Sequence, residues 1–201
     1  MNYKNSRDAV WQLLKKHKVS SLPVNLSKIC KAEHIKLFTY QEGASLIKKL
    51  QLEGNMVEND AFSIGRIIFY NDQNIIARQR FSIAHEMGHI FLHSTQEATV
   101  YNREPAPNDS PLEAEANIFA SRLLAPLCVL HYLNVQNAED ISRLCNISMT
   151  AAQIRFNRLS KIRERDKTFR ETKGYGCFLL SSHERAVFKR FTQFIEANRK
   201  D

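Results

Sequence analysis

Hydrophobic and polar positions along the chain repeat with two spacings, one typical of helices and one of strands. Spacings of three and four residues predict helices over residues 5–18, 26–33, 44–50, 74–93, 112–124 and 129–133. Strict alternation predicts a strand over 35–40 and two strands in AFSIGRIIFYND, joined by a tight turn at Gly65-Arg66. Gly54 and Asn55 are predicted to end the helix before this hairpin. The pattern favours an α+β fold with a small sheet.

The rest of the chain is predicted to be helical, after a proline-rich surface loop at 98–111. Ser110 and Pro111 suit the cap and the first position of the helix that follows this loop. A final amphipathic helix begins at Ser181 or Ser182 and is expected to bury Val187, Phe188, Phe191 and Ile195. We therefore divide the chain into a first domain, 1–134, and a mostly helical C-terminal region, 135–201.

Residues 139–159 of that region resemble a helix-turn-helix unit. Asn146 suits the left-handed turn between the two helices, and Ser148 suits the cap of the second. DNA contact by this unit would use Gln153, Arg155 and Arg158. The alternative, which we favour, is that the unit packs within the protein or docks a partner, because tight specific DNA binding by a lone unit needs a dimer or extra arms.

Composition and charge narrow the class of protein without naming an activity. The chain has 201 residues, a net charge of +8 and 43% hydrophobic residues, and no apolar run approaches a membrane span. The first residues lack the apolar core of a signal peptide, so we expect a cytoplasmic protein with no membrane partner. The four cysteines are scattered without a C-x-x-C pair, which indicates reduced, buried thiols rather than a disulfide framework.

Positive charge is concentrated at residues 155–170, where Arg and Lys far outnumber the two acidic residues. A basic helix face of this kind can bind nucleic acid or an acidic protein. It can equally be a solvated helix face, and charge alone does not separate these alternatives.

The predicted helix 74–93 contains the only motif that points to specific chemistry. His85 and His89 stand four residues apart, so both imidazoles project from one helix face toward a common Zn²⁺ site. Glu86 is offset by about 100° around the helix, which suits a general base acting on a water molecule beside the ion. Gly88 costs such a helix roughly 1 kcal/mol relative to Ala, which indicates that another element packs closely there.

A catalytic zinc site needs a third protein ligand, and the helix 112–124 offers two carboxylates. Glu113 and Glu115 point about 200° apart, so only one is expected to face the site. We assign Glu113 as the ligand and expect Glu115 to face solvent. Asn117, one turn after Glu113, is expected to hydrogen-bond a ligand from outside the coordination sphere, and His93 to pack beside the ligands.

The chain resembles the ImmA/IrrE family of metallo-endopeptidases in three segments: SLPVNLSKIC, RQRFSIAHEMGHIFLH and EAEANIFASRLLAP. They lie between Ser21 and Pro126, which is more than half of the chain. The resemblance implies a zincin-like core in which a small mixed sheet lies beside the motif helix. It also implies metal ligands at His85, His89 and Glu113, with Glu86 as the catalytic base.

The same resemblance implies Zn²⁺ as the cofactor, with Mn²⁺ as the alternative ion, and a helix-turn-helix repressor of a mobile element, phage or stress regulon as the substrate. One departure is Ala125, which stands where the family usually has Met in Leu-Leu-Met-Pro. It lies at the helix end and leaves the expected ligands unchanged.

The leading hypothesis is a zinc endopeptidase of the gluzincin type that relieves repression by cleavage. The strand at 67–70 is expected to hold the substrate by edge pairing. Stabilisation of the oxyanion is assigned to Tyr101, His131 or Arg80, without a choice among them. Two alternatives remain: a non-cleaving antirepressor, and a DNA-binding regulator with a structural metal site. The intact Glu86 argues against both, because neither needs a base beside the metal.

Overall fold

The computed structural model describes residues 3–93, 111–173 and 181–199. The chain divides into two compact units, which do not follow the chain order. Met1–Val10 and Asn25–Leu123 form the first unit, and Trp11–Val24 and Leu124–Asp201 form the second. The domain boundary at residue 134 stays a prediction.

The first unit contains a small sheet and most of the helices that lie before residue 124. Its elements, in chain order, are the start of α1 (Tyr3–Lys16), α2 (Leu26–Ala32), β1 (Lys36–Thr39), α3 (Tyr40–Lys49), α4 (Glu53–Glu58), β2 (Ala61–Ile64), β3 (Ile67–Tyr70), α5 (Ile76–His93) and α6 (Pro111–Leu124). The fold is α+β, as the sequence predicts.

The sheet is mixed and has the strand order β1-β3-β2. β1 runs parallel to β3, whereas β2 and β3 form the predicted antiparallel hairpin, with Phe62 opposite Phe69. Gly65, in the turn, has a positive φ of 55°. Because β3 is paired on both sides, the prediction that it holds substrate by edge pairing is wrong. The edge strands of the described sheet are β1 and β2.

Aromatic and aliphatic side chains bury one face of the sheet against α3. The rings of Phe62 and Phe69 stack with their centroids 5.1 Å apart, and Ile47 of α3 packs in the same cluster. Gly43 of α3 lies so close that a Cβ there would be 2.6 Å from the Phe69 ring. α5 also packs on β2 and β3, and this packing positions the motif helix beside the sheet.

Two helix boundaries differ from the prediction for identifiable reasons. α3 begins at Tyr40, four residues before the predicted start, because Thr39 and Glu42 form a capping box, with Glu42 N 3.0 Å from Thr39 Oγ1. The prediction that Gly54 ends helical structure is wrong, since Gly54 lies inside α4. Packing of Leu52 and Met56 on the core stabilises this short helix despite its glycine.

The second unit is helical in its described part. It contains α7 (Leu127–Tyr132), α8 (Ala138–Cys145), α9 (Met149–Lys173) and α10 (Ser182–Asn198). α9 packs against α7 and α8, and α10 packs against α7. Ser181 caps α10, and Val187, Phe191 and Ile195 are buried as predicted, with Phe188 partly buried.

The segment between α8 and α9 has the predicted turn. Asn146 adopts the left-handed conformation with φ 51°, and Ser148 Oγ accepts a hydrogen bond from Ala151 N at 3.2 Å. α9, however, continues to Lys173, far beyond residue 159. The sequence after Leu159 holds strong helix formers and i,i+4 ion pairs such as Arg170–Asp166 at 2.8 Å, so nothing ends the helix.

Several other predictions concern the residues around these elements. No described helix is long and apolar enough to cross a membrane. Cys30, Cys128 and Cys145 are buried free thiols, as expected. The predicted loop at 98–110 with its Ser110 cap, and Cys177, lie outside the described residues.

Candidate metal centre

Three potential ligand side chains converge where α5 and α6 approach each other. The Nε2 atoms of His85 and His89 are 3.0 Å apart. Glu113 Oε2 is 3.1 Å from His85 Nε2, and Glu113 Oε1 is 3.2 Å from His89 Nε2. One ligand atom from each side chain therefore lies within 4.8 Å of the others, a cluster that can hold a metal ion.

Close contact between the two helices makes this convergence geometrically feasible. A Cβ at Gly88 of α5 would be 2.9 Å from Ala116 Cα and 3.2 Å from Ala116 O. The prediction that another element packs closely at Gly88 is confirmed, and that element is α6. Glycine on one helix and alanine on the other let the backbones approach until side chains from both reach one point.

Glu86 is buried beside this cluster and is held by the sheet. Ser63 Oγ of β2 donates a hydrogen bond to Glu86 Oε2 at 2.7 Å. This contact joins the edge strand to the motif helix across 23 residues of sequence. It fixes the orientation of the Glu86 carboxylate, which the helix alone leaves free to rotate.

Each histidine of the cluster has a hydrogen-bonding partner at its other ring nitrogen. His85 Nδ1 lies 2.9 Å from Asn117 Oδ1, the placement expected for Asn117. His89 Nδ1 lies 3.3 Å from His93 Nδ1. With Nε2 of both turned toward the cluster, Nδ1 of each can carry the proton and donate it, which fixes the tautomers.

His93 continues this chain of contacts to a second carboxylate. Its Nε2 lies 3.2 Å from Glu115 Oε2, in a largely buried pair. Burial lowers the pKa of His93, while its hydrogen bond to Glu115 acts in the opposite direction. The expectation that Glu115 faces solvent is wrong, because α6 also reaches α5 further along, at His93.

A model of a peptidase family, described as the IrrE N-terminal-like domain, matches residues 44–157, more than half of the chain. The chain belongs to this peptidase family. It is a metallopeptidase of the ImmA/IrrE kind, as its motifs indicated, with a zincin-like core. The match begins after the segment SLPVNLSKIC and extends beyond residue 134 into α9. No curated protein matches the chain in a sequence comparison.

The ligand cluster of this peptidase fits the metal that its family implies. Atoms bound at 2.0–2.2 Å to a tetrahedral zinc ion lie about 3.3 Å from one another. The two Nε2 atoms are 3.0 Å apart, and each lies 3.1 or 3.2 Å from a different oxygen of the Glu113 carboxylate, which is close to that spacing. Two neutral imidazoles and one carboxylate are also the donor set of an open, catalytic zinc site.

The three residues considered for oxyanion stabilisation differ in where the peptidase places them. Tyr101 lies outside the described residues. Arg80 lies on α5 five positions before His85, about 140° around the helix, which does not favour this role. His131 is on α7 in the second unit. Their roles stay predictions.

The predicted nucleic-acid contacts on α9 need one correction. Gln153 and Arg158 are exposed, and Gln153 donates to Asn157 Oδ1 at 2.8 Å. Arg155 is buried, and its Nε donates to the carbonyl oxygen of Ala125 at 3.0 Å. Arg155 therefore stabilises the packing of the second unit and is not accessible to DNA or a partner.

Two side chains of the centre were not predicted from sequence. Ser63 lies on a strand without a motif, and only the fold brings it to Glu86. Glu115 carries a weak signal, since a buried His93 requires a partner for its ring nitrogens. That requirement does not identify which carboxylate forms the hydrogen bond with His93.

Proposed function

We propose that the protein is a zinc-dependent endopeptidase of the gluzincin type. In this proposal His85, His89 and Glu113 hold the ion, and Glu86 is the general base. The observation that carries the proposal is the convergence of three ligand atoms beside a buried carboxylate that Ser63 orients. A structural metal site has no use for such a carboxylate, whereas hydrolysis of a peptide needs a group that moves a proton.

Each residue of the centre has a separate role in peptide hydrolysis under this proposal. A zinc ion held there would act as a Lewis acid, lowering the pKa of a coordinated water and polarising the substrate carbonyl. The Glu86 carboxylate accepts the proton of the attacking water and transfers it to the leaving amide nitrogen. The water oxygen remains on the new carboxylate, and the carbon–nitrogen bond breaks. Ser63 keeps Glu86 oriented through both transfers, and Asn117 keeps the His85 ring in place.

The substrate strand pairs with β2 in this proposal. In the described part of the sheet, β2 has β3 on one side and no strand on the other. Ser63 connects this edge directly to Glu86, so an extended peptide that pairs with β2 passes beside the base. A helix-turn-helix repressor is the substrate class that the family resemblance supports.

The experiment compares the native protein, the metal-free protein and Glu86→Gln, each mixed with a candidate repressor. We expect Glu86→Gln to slow cleavage by about 10²–10⁴-fold, the usual contribution of general acid–base catalysis, while zinc content is unchanged. Glu53→Gln is the matched control, because it removes an exposed carboxylate from the same unit and should cleave at the native rate. Cleavage by Glu86→Gln at the native rate would refute the assignment of the base.

The same variant tests the two non-catalytic alternatives. If repression in cells is relieved equally by the native protein and by Glu86→Gln, the protein is a non-cleaving antirepressor. If native protein binds duplex DNA specifically and never cleaves, it is a regulator with a structural metal site.

A further inference from the structure

The metal centre opens toward the N-terminal end of α5. The side chains of His89 and His93 are each 6% exposed, whereas that of His85 is 12% exposed. The Glu113 side chain is 22% exposed, against 16% for Glu115. Exposure therefore increases toward the start of α5, and this is the side from which a substrate has access to the ligand cluster.

An aromatic side chain, Phe81, lies on this accessible side. Phe81 is four residues before His85 on α5, about 40° around the helix and about 6 Å along its axis. The centroids of the two rings are 6.4 Å apart, and Phe81 is partly exposed. Side chains of a helix lean toward its N-terminus, so the His85 ring lies over the turn that carries Phe81. Phe81 therefore borders the space beside the ligand cluster.

Helix packing accounts for the other phenylalanine of α5. Phe91 stacks against the buried ring of Phe119 of α6, with centroids 5.9 Å apart, and so contributes to the contact between the two helices. Phe81 instead has its partly exposed ring beside a ligand histidine that a substrate must approach. Binding sites combine an apolar lining with a few polar groups, and Phe81 beside the cluster has that composition.

A charged residue, Arg78, lies further along the same face of α5. It is seven residues before His85, which places it about 20° around the helix. An arginine there could select an acidic substrate side chain. Its Nε, however, is 2.6 Å from Asp60 Oδ2, so its charge is already balanced by a carboxylate. The accessible side of the centre is therefore better suited to an apolar group than to an acidic one.

We propose that Phe81 is a specificity-determining residue of the peptidase. Its ring forms the wall of a subsite that takes an aliphatic or aromatic substrate side chain next to the cleaved bond. The inference rests on the proposed zinc endopeptidase, in which the cleaved bond lies at the ligand cluster. It adds a preference for one class of side chain.

The test measures the binding of three small hydroxamates to the zinc-loaded full chain by calorimetry. Hydroxamates chelate zinc, so acetohydroxamate reports on the metal alone, and 4-methylpentanohydroxamate adds a branched aliphatic chain. We expect the aliphatic probe to bind about tenfold more tightly than acetohydroxamate, because the Phe81 ring covers part of the added apolar surface. Succinic monohydroxamate has a carboxylate on a chain of similar length. It should gain less than about twofold, because an aromatic wall does not replace the hydration of a charge.

Variants of Phe81 connect this preference to the ring. Phe81→Ala should reduce the tenfold ratio to about twofold, with acetohydroxamate and zinc affinities within about twofold of native, because the ligands are untouched. Phe81→Leu keeps an apolar wall and should retain a ratio of about fivefold. Phe81→Gln keeps much of the volume and serves if Phe81→Ala does not fold. Ile76→Ala is the matched control, because Ile76 is apolar, 59% exposed and on the opposite face of α5 from His85.

The outcomes separate this inference from the proposed function. If acetohydroxamate does not bind the native zinc-loaded chain, the proposed centre is wrong and the subsite with it. If acetohydroxamate binds but the native ratio is near one, the centre stands and the assignment of Phe81 is refuted. The assignment is also overturned if both Phe81→Ala and Phe81→Gln keep the native ratio, or if Ile76→Ala lowers it equally. Tighter binding of succinic monohydroxamate than of the aliphatic probe would assign the specificity to Arg78 instead.

Discussion

Replacement of Gly88 by Ala tests whether close helix packing builds the metal centre. The added Cβ would lie 2.9 Å from Ala116 Cα and 3.2 Å from Ala116 Cβ. Carbon atoms in ordinary contact are at least about 3.5 Å apart, so α5 and α6 must separate locally by about 0.6 Å. The obstacle is backbone on a packed helix, which cannot rotate away as a flexible side chain would.

Two opposing terms set the expected change in stability. Gly→Ala within a helix normally stabilises by about 1 kcal/mol through helix propensity. Overpacking of a close contact costs about 1–3 kcal/mol. We therefore expect Gly88→Ala to lower the free energy of unfolding by up to about 2 kcal/mol, measured by urea denaturation of the metal-free chain.

The same separation acts on the ligands, because two come from α5 and one from α6. The distances from Glu113 to His85 Nε2 and His89 Nε2, now 3.1 and 3.2 Å, would lengthen with the helix spacing. We expect zinc affinity to fall about tenfold, measured by competition with a chromophoric chelator. The stabilisation by excess zinc would then shrink by about 1.4 kcal/mol relative to the native chain.

Gly54→Ala provides the control for helix propensity. Gly54 lies in α4, and a Cβ there would meet no described atom within 4 Å. We expect this variant to be as stable as the native chain or slightly more stable, with unchanged zinc affinity. If Gly88→Ala behaves in the same way, the two helices tolerate separation and the reasoning about the centre fails.

Three further predictions follow from burial and hydrogen bonding. Glu115→Ala should weaken zinc binding about tenfold in chelator competition, because His93 loses the carboxylate that orients it and His93 in turn contacts His89. Glu115→Gln keeps an acceptor oxygen and should lose less affinity. An unchanged affinity in both variants would contradict this. In a Cys177→Ser background, native protein at pH 8 should resist alkylation until urea unfolds it, because burial raises the pKa of Cys30 and Cys128 to about 12. Burial, followed by the charge of the neighbouring Arg163, lowers the pKa of His131 in the folded chain. As the pH falls through about 6.5, the unfolded chain therefore binds a proton before the folded chain does, and the free energy of unfolding decreases. His131→Asn should flatten that decrease in urea titrations at pH 7.5 and 5.5, and an unchanged slope would count against it.

Local features of the sequence were enough to predict most of the elements and the ligand cluster. His85 and His89 share a helix face because of spacing alone, and the Gly65 turn follows from a dipeptide between two alternating strands. Glu113 could be chosen because a catalytic site requires a third ligand and few carboxylates lie on a suitable helix. Each of these inferences needs only residues that are close in the sequence or a rule about coordination.

Contacts between distant segments were the ones that sequence could not supply. Strand order decides which edge is available, and β3 pairs with β1 through a parallel connection that periodicity does not encode. Ser63 becomes part of the centre only because β2 is the edge strand beside α5. Arg155 looked like a phosphate contact because of its charge, but the carbonyl of Ala125 gives that charge a buried partner.

The error on Glu115 has a geometric cause that also explains how α6 serves the whole centre. The reasoning that carboxylates 200° apart cannot both face the site treats the opposite helix as a single point. α5, however, presents histidines over two turns, and His93 lies about 12 Å along the axis from His85. Ala116 contacts Gly88, and Glu113 and Glu115 lie about 60° and 100° around α6 on opposite sides of Ala116, so both can reach α5. Glu113 therefore meets the first two histidines and Glu115 the third, so a single close crossing supplies both a potential ligand and the group that orients the histidine behind it.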